Sequence, residues 1–392
     1  MSAKQVERVV KGIGQERCAE RDRATATYQS LPLVQRKGAP AGACVPAVAV
    51  VGTDGGRLQI RDRAAAPATA GSSMASPPAP AGETAGTDPT RRGRHWREDK
   101  IGLLMTMTSD VSAADPCPDV PEGFLDPTRM GKMVRELRKG VPVTEEPAQA
   151  AADPEAGREV LQESGPTWKP PTVEHKRLVA SRRPWEDVGP LVAAAAWAMG
   201  LFAASRRAFV GDGAENNWSI WRAPFSSFVP VLDFIHALSY VYAAAHAGRD
   251  RATGWRCYAR WIRWVWQGQV ALGLRELQEQ QAERGDPTGQ DKETSPRQVV
   301  ATAVTYLRNN AERMRYDEYR RQGLPITSSY VESAVKQFNQ RVKGTEKFWS
   351  EEGAEAILQL RADHLSDDQP LVAFWERRQA QQTGQRPYRR AS

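Results

Sequence analysis

Residues 4 to 37 are charged and Ala-rich, their apolar positions recur at helical spacing, and Pro40 and Pro46 punctuate the exit. Short helices are expected there. The period then changes. Ala47 to Val51 is a continuous apolar run, and beyond Asp54-Gly55-Gly56 the stretch Arg57-Leu58-Gln59-Ile60-Arg61 alternates with period two. This predicts two strands joined in a hairpin around the Gly-Gly pair. Ile101 to Met107 reads as a third strand, and a helical stretch follows from about Arg129 to Arg138. The segment from Met133 to Arg183 alternates charge with proline and is ambiguous. Trp185 to Met199 is Ala-rich and apolar over a broad face, a buried helix with Gly200 near its end. Ala208-Phe209-Val210 reads as a short strand ending at Gly211-Asp212-Gly213, Trp218 and Trp221 fall in a helical segment, and Phe228 to Ile235 reads as a further strand. The order is strand, strand, strand, helix, strand, helix, strand.

After His236 the pattern becomes long helices, Ala237 to Ala247, Trp255 to Leu277 and Pro296 to Tyr319, with a polar break near Arg284 to Ser295. Another helix begins near Tyr330, and Gly353 to Leu365 forms one more before a basic tail with Arg377, Arg378, Arg386, Arg389 and Arg390. Between about Ala64 and Arg94 the composition collapses to Ala, Pro, Gly, Ser and Thr, too poor in large apolar residues to offset the entropy of ordering it. The chain therefore divides into a helical segment (1–45), the first part of an α/β core (46–236, with a disordered insert at 64–94), an all-helical insertion (237–325), the last part of the core (326–368) and a basic tail (369–392).

Charge and composition refine this. Lys plus Arg is 54 against 47 Asp plus Glu, a net charge of +7 that favours polyanionic partners. The 12 tryptophans are densest between Trp255 and Trp266. There Trp255, Tyr258, Trp261, Ile262 and Val265 fall on one helical stripe, the pattern of a core face. Trp264 and Trp266 lie off it, as surface or DNA contacts would. Cys18, Cys44, Cys117 and Cys257 form no CxxC pair, which speaks against a zinc knuckle or a disulfide framework. No apolar run reaches the roughly 20 residues of a membrane span, and Met1 is followed by charged residues. A cytoplasmic protein is expected.

Three acids stand out by placement. Asp54 ends the first strand, Asp212 ends the fourth, which in this order lies beside the first, and Glu332 opens a late helix able to lie across both. Two-metal phosphoryl transfer needs such a platform, because two cations about 4 Å apart must be held by a few carboxylates on rigid elements. Each acid also has a structural explanation. Asp-Gly is a strong hairpin signal at Asp54, and Asp212 between glycines could shape a loop. Ser329-Tyr330-Val331-Glu332 has the form of a capping box. His236, closing the fifth strand, suits a satisfied structural group with Asp233 as hydrogen-bond partner. Arg320, Arg321, Lys336, Arg341, Lys343 and Lys347 surround Glu332, and the cluster suits phosphate contacts.

The stretches VGTDGGRLQIR, HWREDKIGLL, FVGDGAENNW, LDFIHALSYV and the long run from YDEYRRQGLPITSSYVES to RADHLS resemble the DDE transposases of a bacterial insertion-sequence family, the Kra-type group related to Mutator-like elements. The resemblance runs from about Lys4 to the tail and is most specific around Val331-Glu332-Ser333 and Val342-Lys343-Gly344. It implies a ribonuclease-H-like mixed sheet with an all-α insertion between the fifth strand and the glutamate-bearing helix. It makes Asp54, Asp212 and Glu332 the catalytic triad, holding two Mg²⁺ or Mn²⁺ ions, and Asp233 with His236 a supporting pair. Relatives carry a longer N-terminal region that reads the element's ends, so 1–45 is expected to be a truncated DNA-recognition segment. The expected activity is cutting element ends in double-stranded DNA and joining them to a target, as a homo-oligomer in the cytoplasm on the nucleoid. The alternatives are a nuclease on the same fold and an inactive remnant that only binds DNA.

Overall fold

The computed structural model describes residues 2–61, 94–138, 168–344 and 347–381. Most of the expected disordered insert, and the tail arginines Arg386, Arg389 and Arg390, lie outside them. The chain opens with one long helix, α1 (Ala3–Ser30), and a single turn, α2 (Leu33–Arg36). Strands β1 (Val48–Arg61), β2 (Arg94–Thr108) and β3 (Thr172–Ser181) follow, with α3 (Pro127–Leu137) between the second and third. Then come α4 (Trp185–Ala198), β4 (Arg206–Gly211), α5 (Glu215–Arg222) and β5 (Val229–Leu232). Helices α6 (Phe234–His246), α7 (Arg251–Trp266), α8 (Val270–Arg284), α9 (Pro296–Asn310) and α10 (Tyr316–Arg321) form the helical insertion. The chain returns through α11 (Ser329–Val342), β6 (Phe348–Trp349), α12 (Glu351–Leu365) and α13 (Pro370–Ala380).

The six strands make one open mixed sheet in the order β3-β2-β1-β4-β5, with β6 paired in parallel to the far end of β1. β1 to β3 form an antiparallel meander, and β4 and β5 add in parallel beside β1. β1 is thus central, and Val48 to Val51 are all buried, as a strand covered on both faces requires. Two glycines mark how closely the covering helices approach. A Cβ on Gly52 would stand 2.5 Å from Val331 of α11, and one on Gly102, which faces the other way, 2.7 Å from Val192 of α4. Both outer edges are blunted by side chains. Ser366 and Asp367 accept from the Leu178 and Lys176 amides of β3, and Tyr316 and Tyr319 donate to the Leu232 and Pro230 carbonyls of β5.

Several expectations change. The Gly55-Gly56 pair is no hairpin: β1 runs through it for 14 residues, because the side chains of Glu98 and Asp99 in β2 occupy the space their Cβ atoms would take. The third strand is β3, drawn from the ambiguous segment, and Ile101 to Met107 belongs to β2. Residues 4 to 37 hold one 28-residue helix rather than short ones. It is built into the molecule, since Arg17 makes a buried pair with Asp363 of α12 at 2.8 Å and Arg21 pairs with Glu355. The fifth strand stops at Leu232, where Asp233 accepts from the Ile235 amide and starts α6, so His236 is helical. Trp255 to Leu277 is two helices, broken at Gly268, whose φ is +71°. Arg377 and Arg378 sit on α13 and pair with Glu20 and Glu16 of α1, so this part of the tail is docked.

Candidate acidic site at the end of the central strands

Asp54 and Asp212 occupy equivalent places on neighbouring parallel strands. The last β1–β4 pair is Gly52 with Val210, and each aspartate stands two residues beyond it. Both line one cleft of about 590 Å³, together with Arg57, Trp96, Arg97 and Trp185. Asp212 is held on three sides. Its Oδ1 accepts from the Asn217 side chain at 2.7 Å and the Ala214 amide at 2.9 Å, and its carbonyl accepts from the Tyr306 hydroxyl at 2.6 Å. Asn217 in turn accepts from Thr53 of β1, so one side chain ties the two strand ends. Gly213 is at φ +97°, and a Cβ there would stand 2.6 Å from the Tyr306 ring, so only glycine suits this turn.

Glu332 lies in the first turn of α11, brought to β1 by the Gly52–Val331 contact. The capping box does not form. The residue before the helix is Ser328, it makes no side-chain cap, and its hydroxyl donates instead to Asp233 Oδ2 at 2.9 Å. Glu332 is therefore free of a capping role.

Asp233 is fully buried and satisfied by the Ile235 and Ser328 amides, the Ser328 hydroxyl and His236 Nδ1 at 2.5 Å. Burial, the largest influence, pushes its carboxyl up, but these bonds and the His236 charge prevail and hold it below the ordinary range. For His236, burial pulls the imidazole down, but Asp233, Asp212 and Glu332 outweigh it and raise it to about 9. His236 is thus an imidazolium at neutral pH, 4.0 Å from Glu332. Asp233, His236 and Glu332 offer ligand atoms within 4.8 Å of one another. An imidazolium has no lone pair to give a metal, however, so here His236 acts as an internal cation. The acids around it are strained. Burial, with the Asp212 charge adding to it against the Gly55 amide, raises Asp54 to about 6. Burial and the Asp233 charge, with a smaller push from Asp54, raise Glu332 to about 7 against His236 and Lys336. The donors of Asp54, Asp212 and Glu332 are all oxygens, the set that hard divalent cations take.

The basic cluster divides. Lys336, Arg341 and Lys343 are exposed, the first two on the glutamate-bearing helix and Lys343 just past its end, and Lys347 is half-buried with its Nζ on the Gln340 carbonyl. Arg321 is exposed too, but it lies away from the acids, its neighbour Gln322 accepting from Arg206 at the start of β4. Arg320 is a correction: it is 1% exposed, paired with Asp115 and stacked over Trp266, because the insertion packs around it. Trp266 is likewise core, its Nε1 donating to the Cys117 carbonyl, and Trp264 packs partly buried against the core. Tyr258, Trp261, Ile262 and Val265 form the buried stripe as expected. Asn217, Tyr306 and Asp99 were not singled out from sequence. Asp99 is buried opposite Gly56 on the face of the sheet that bears Asp54, and burial raises it to about 6. Its place is fixed by strand register, which the sequence pattern around it does not carry.

The chain matches no protein-family model, no curated protein and no solved structure. Among the described residues no helix is long and apolar enough to cross a membrane.

Proposed function

We propose that the chain is a DDE-type DNA transposase of an insertion sequence, with a ribonuclease-H-like core that cuts element ends and joins them to target DNA. The observation that carries the reading is the meeting of Asp54, Asp212 and the Glu332 helix at the end of β1 and β4, with an electrostatic coupling that runs from Asp212 through Asp54 to Glu332. The reading is supported by an open mixed sheet in the order β3-β2-β1-β4-β5, with an antiparallel neighbour on one side of β1 and a parallel one on the other. The all-helical stretch between β5 and α11 stands where the insertion is expected.

Carboxylates that resist ionisation, chiefly through burial and partly through one another's charge, fit Mg²⁺ or Mn²⁺, held by Asp54, Asp212 and Glu332. Two such ions, when bound, polarise the scissile phosphate and the attacking and leaving oxygens. The remaining tasks fall to the chain. Asn217 and Tyr306 fix the Asp212 carboxylate and backbone, while Asp233 holds His236 charged beside Glu332. Lys336, Arg341 and Lys343 are exposed along and just past the Glu332 helix and suit the backbone phosphates of double-stranded DNA.

A strand-transfer assay tests this reading. Purified chain is incubated with Mg²⁺ or Mn²⁺, a labelled duplex ending in a recessed 3′-hydroxyl, and supercoiled target DNA. Covalent joining of label to target is expected, and its loss in Asp54→Asn and Asp212→Asn. Cation-dependent cutting without joining would reassign the chain as a nuclease on this core, and binding without either would leave a DNA-binding remnant.

A further inference from the structure

Asp99 has no structural explanation of the kind its neighbours have. It is 0% exposed, and neither carboxylate oxygen has a hydrogen-bond partner. The nearby cations are engaged elsewhere: Lys100 pairs with Glu98 at 3.2 Å, and Lys343 stands over the Trp96 ring. Both lysines attract Asp99 without hydrogen-bonding to it. A buried carboxylate with neither oxygen hydrogen-bonded is unfavourable, and the pull of Lys100 and Lys343 does not offset its burial, so a bound cation would satisfy it.

Register indicates where that cation sits. Asp54 faces Ile101 and Gly56 faces Asp99 across the β1–β2 ladder, so Asp54 and Asp99 are diagonal neighbours on one face of the sheet. Such diagonals lie roughly 7–8 Å apart at Cα, a gap that two inward-reaching carboxylates close around an ion with bonds of about 2.0–2.6 Å. Only a glycine lets the carboxylate lie there, since a Cβ on Gly56 would stand 2.7 and 2.8 Å from the two Asp99 oxygens. The face is the one that α11 covers through Val331 on Gly52, so the Glu332 helix roofs the same space.

We propose that Asp99 is a fourth carboxylate of the cation centre, sharing an ion with Asp54 over the bare backbone of Gly56. The inference rests on reading Asp54, Asp212 and Glu332 as cation ligands. It makes the centre asymmetric, with one ion position toward Asp212 and one toward β2.

The test is direct Mn²⁺ binding, read from the electron paramagnetic resonance signal of the free ion, on the full chain and its Asp54→Asn and Asp99→Asn variants. Thermal unfolding with and without Mn²⁺ runs beside it. Wild type is expected to bind, Asp54→Asn to lose binding, and Asp99→Asn to lose one ion per chain or at least tenfold in affinity. Without cation Asp99→Asn is expected to melt above wild type, because a buried charge has been removed, and with Mn²⁺ wild type is expected to gain more. If Asp99→Asn binds Mn²⁺ like wild type while Asp54→Asn does not, Asp99 is only a buried acid and the inference is overturned. If Asp54→Asn also binds normally, or wild type does not bind, the cation centre itself fails. Asp99→Ser supplies the same readings should the Asn variant not fold.

Discussion

With Ser328 rather than Ser329 preceding α11, the serine that matters for stability is the one bonded to Asp233. Ser328→Ala leaves a buried carboxylate short of a donor and should cost about 1–3 kcal/mol. Ser329→Ala removes no helix cap and should cost less than about 0.5 kcal/mol. Urea unfolding of both variants checks this, and an equal loss would restore the capping box. The titrating residues give a second expectation. Asp54 and Glu332 titrate higher in the folded chain, at about 6 and about 7, than unfolded carboxyls at roughly 3.9 and 4.3. Their stabilising protonation is therefore complete below about pH 4 and lost as pH rises through 6 and 7. His236, at about 9 instead of roughly 6.5, stabilises fully below 6.5 and loses that contribution as pH rises through 9. Asp233, held low, acts only below this window. The metal-free melting temperature should thus fall from pH 5 to pH 9, His236→Asn should flatten the upper part, and Mn²⁺ should flatten the lower. A melting temperature that rises from pH 5 to 7 without metal would contradict the burial that raises these acids. The placing of Asp54 and Asp212 at the ends of neighbouring strands could be read from residue type and position. Arg320 and Trp266 could not be sorted, because a basic or aromatic residue off the stripe has the same signature whether a later helix covers it or DNA does.

At the scale of elements, the approach of α11 to β1 decides where Glu332 sits. Gly52→Ala puts a methyl 2.5 Å from Val331 Cγ2 and should cost about 1–3 kcal/mol, as overpacking does. DNA cleavage should fall further than stability explains, since α11 carries Glu332. Val331→Ala opens the space, so the double variant should recover both quantities, and a double-mutant cycle without coupling would show that the contact does not position the helix. The same contact shows why elements were only partly legible. Apolar runs located β1, β4 and α4, but glycines were read as turn formers where they are places of close approach. Gly55 and Gly56 lie inside a strand because Glu98 and Asp99 lie over them, a relation set by register. Asp233 ended β5 early because a helix-starting aspartate is local chemistry that the apolar run through Ile235 masked.

For the whole molecule, the mixed α/β class and the run of helices after β5 could be read from the sequence, but the order of the first strands could not, since the second and third were drawn from the wrong segments and α3 falls between β2 and β3. β3 stayed hidden because its first half, Thr172 to Arg177, is polar and exposed or half-buried, and only Leu178 to Ser181 is buried. α1 gave little sign of belonging to the core, since apart from Tyr28 its main anchors are charged: Arg17 with Asp363, and Arg21 with Glu355. What unites these parts is a sheet whose two central strands run out to Asp54 and Asp212, with the Glu332 helix packed on β1. The most direct measurement is nicking of supercoiled DNA by wild type and Glu332→Gln, compared at matched urea-unfolding midpoints. Gln keeps the size of the side chain and loses the charge that would hold a divalent ion. Wild type should nick with Mg²⁺ or Mn²⁺ and not in chelator, and Glu332→Gln should be slower by at least about 100-fold, as loss of a metal ligand implies. Equal nicking by the two proteins, or cleavage by wild type in chelator, would contradict the assignment.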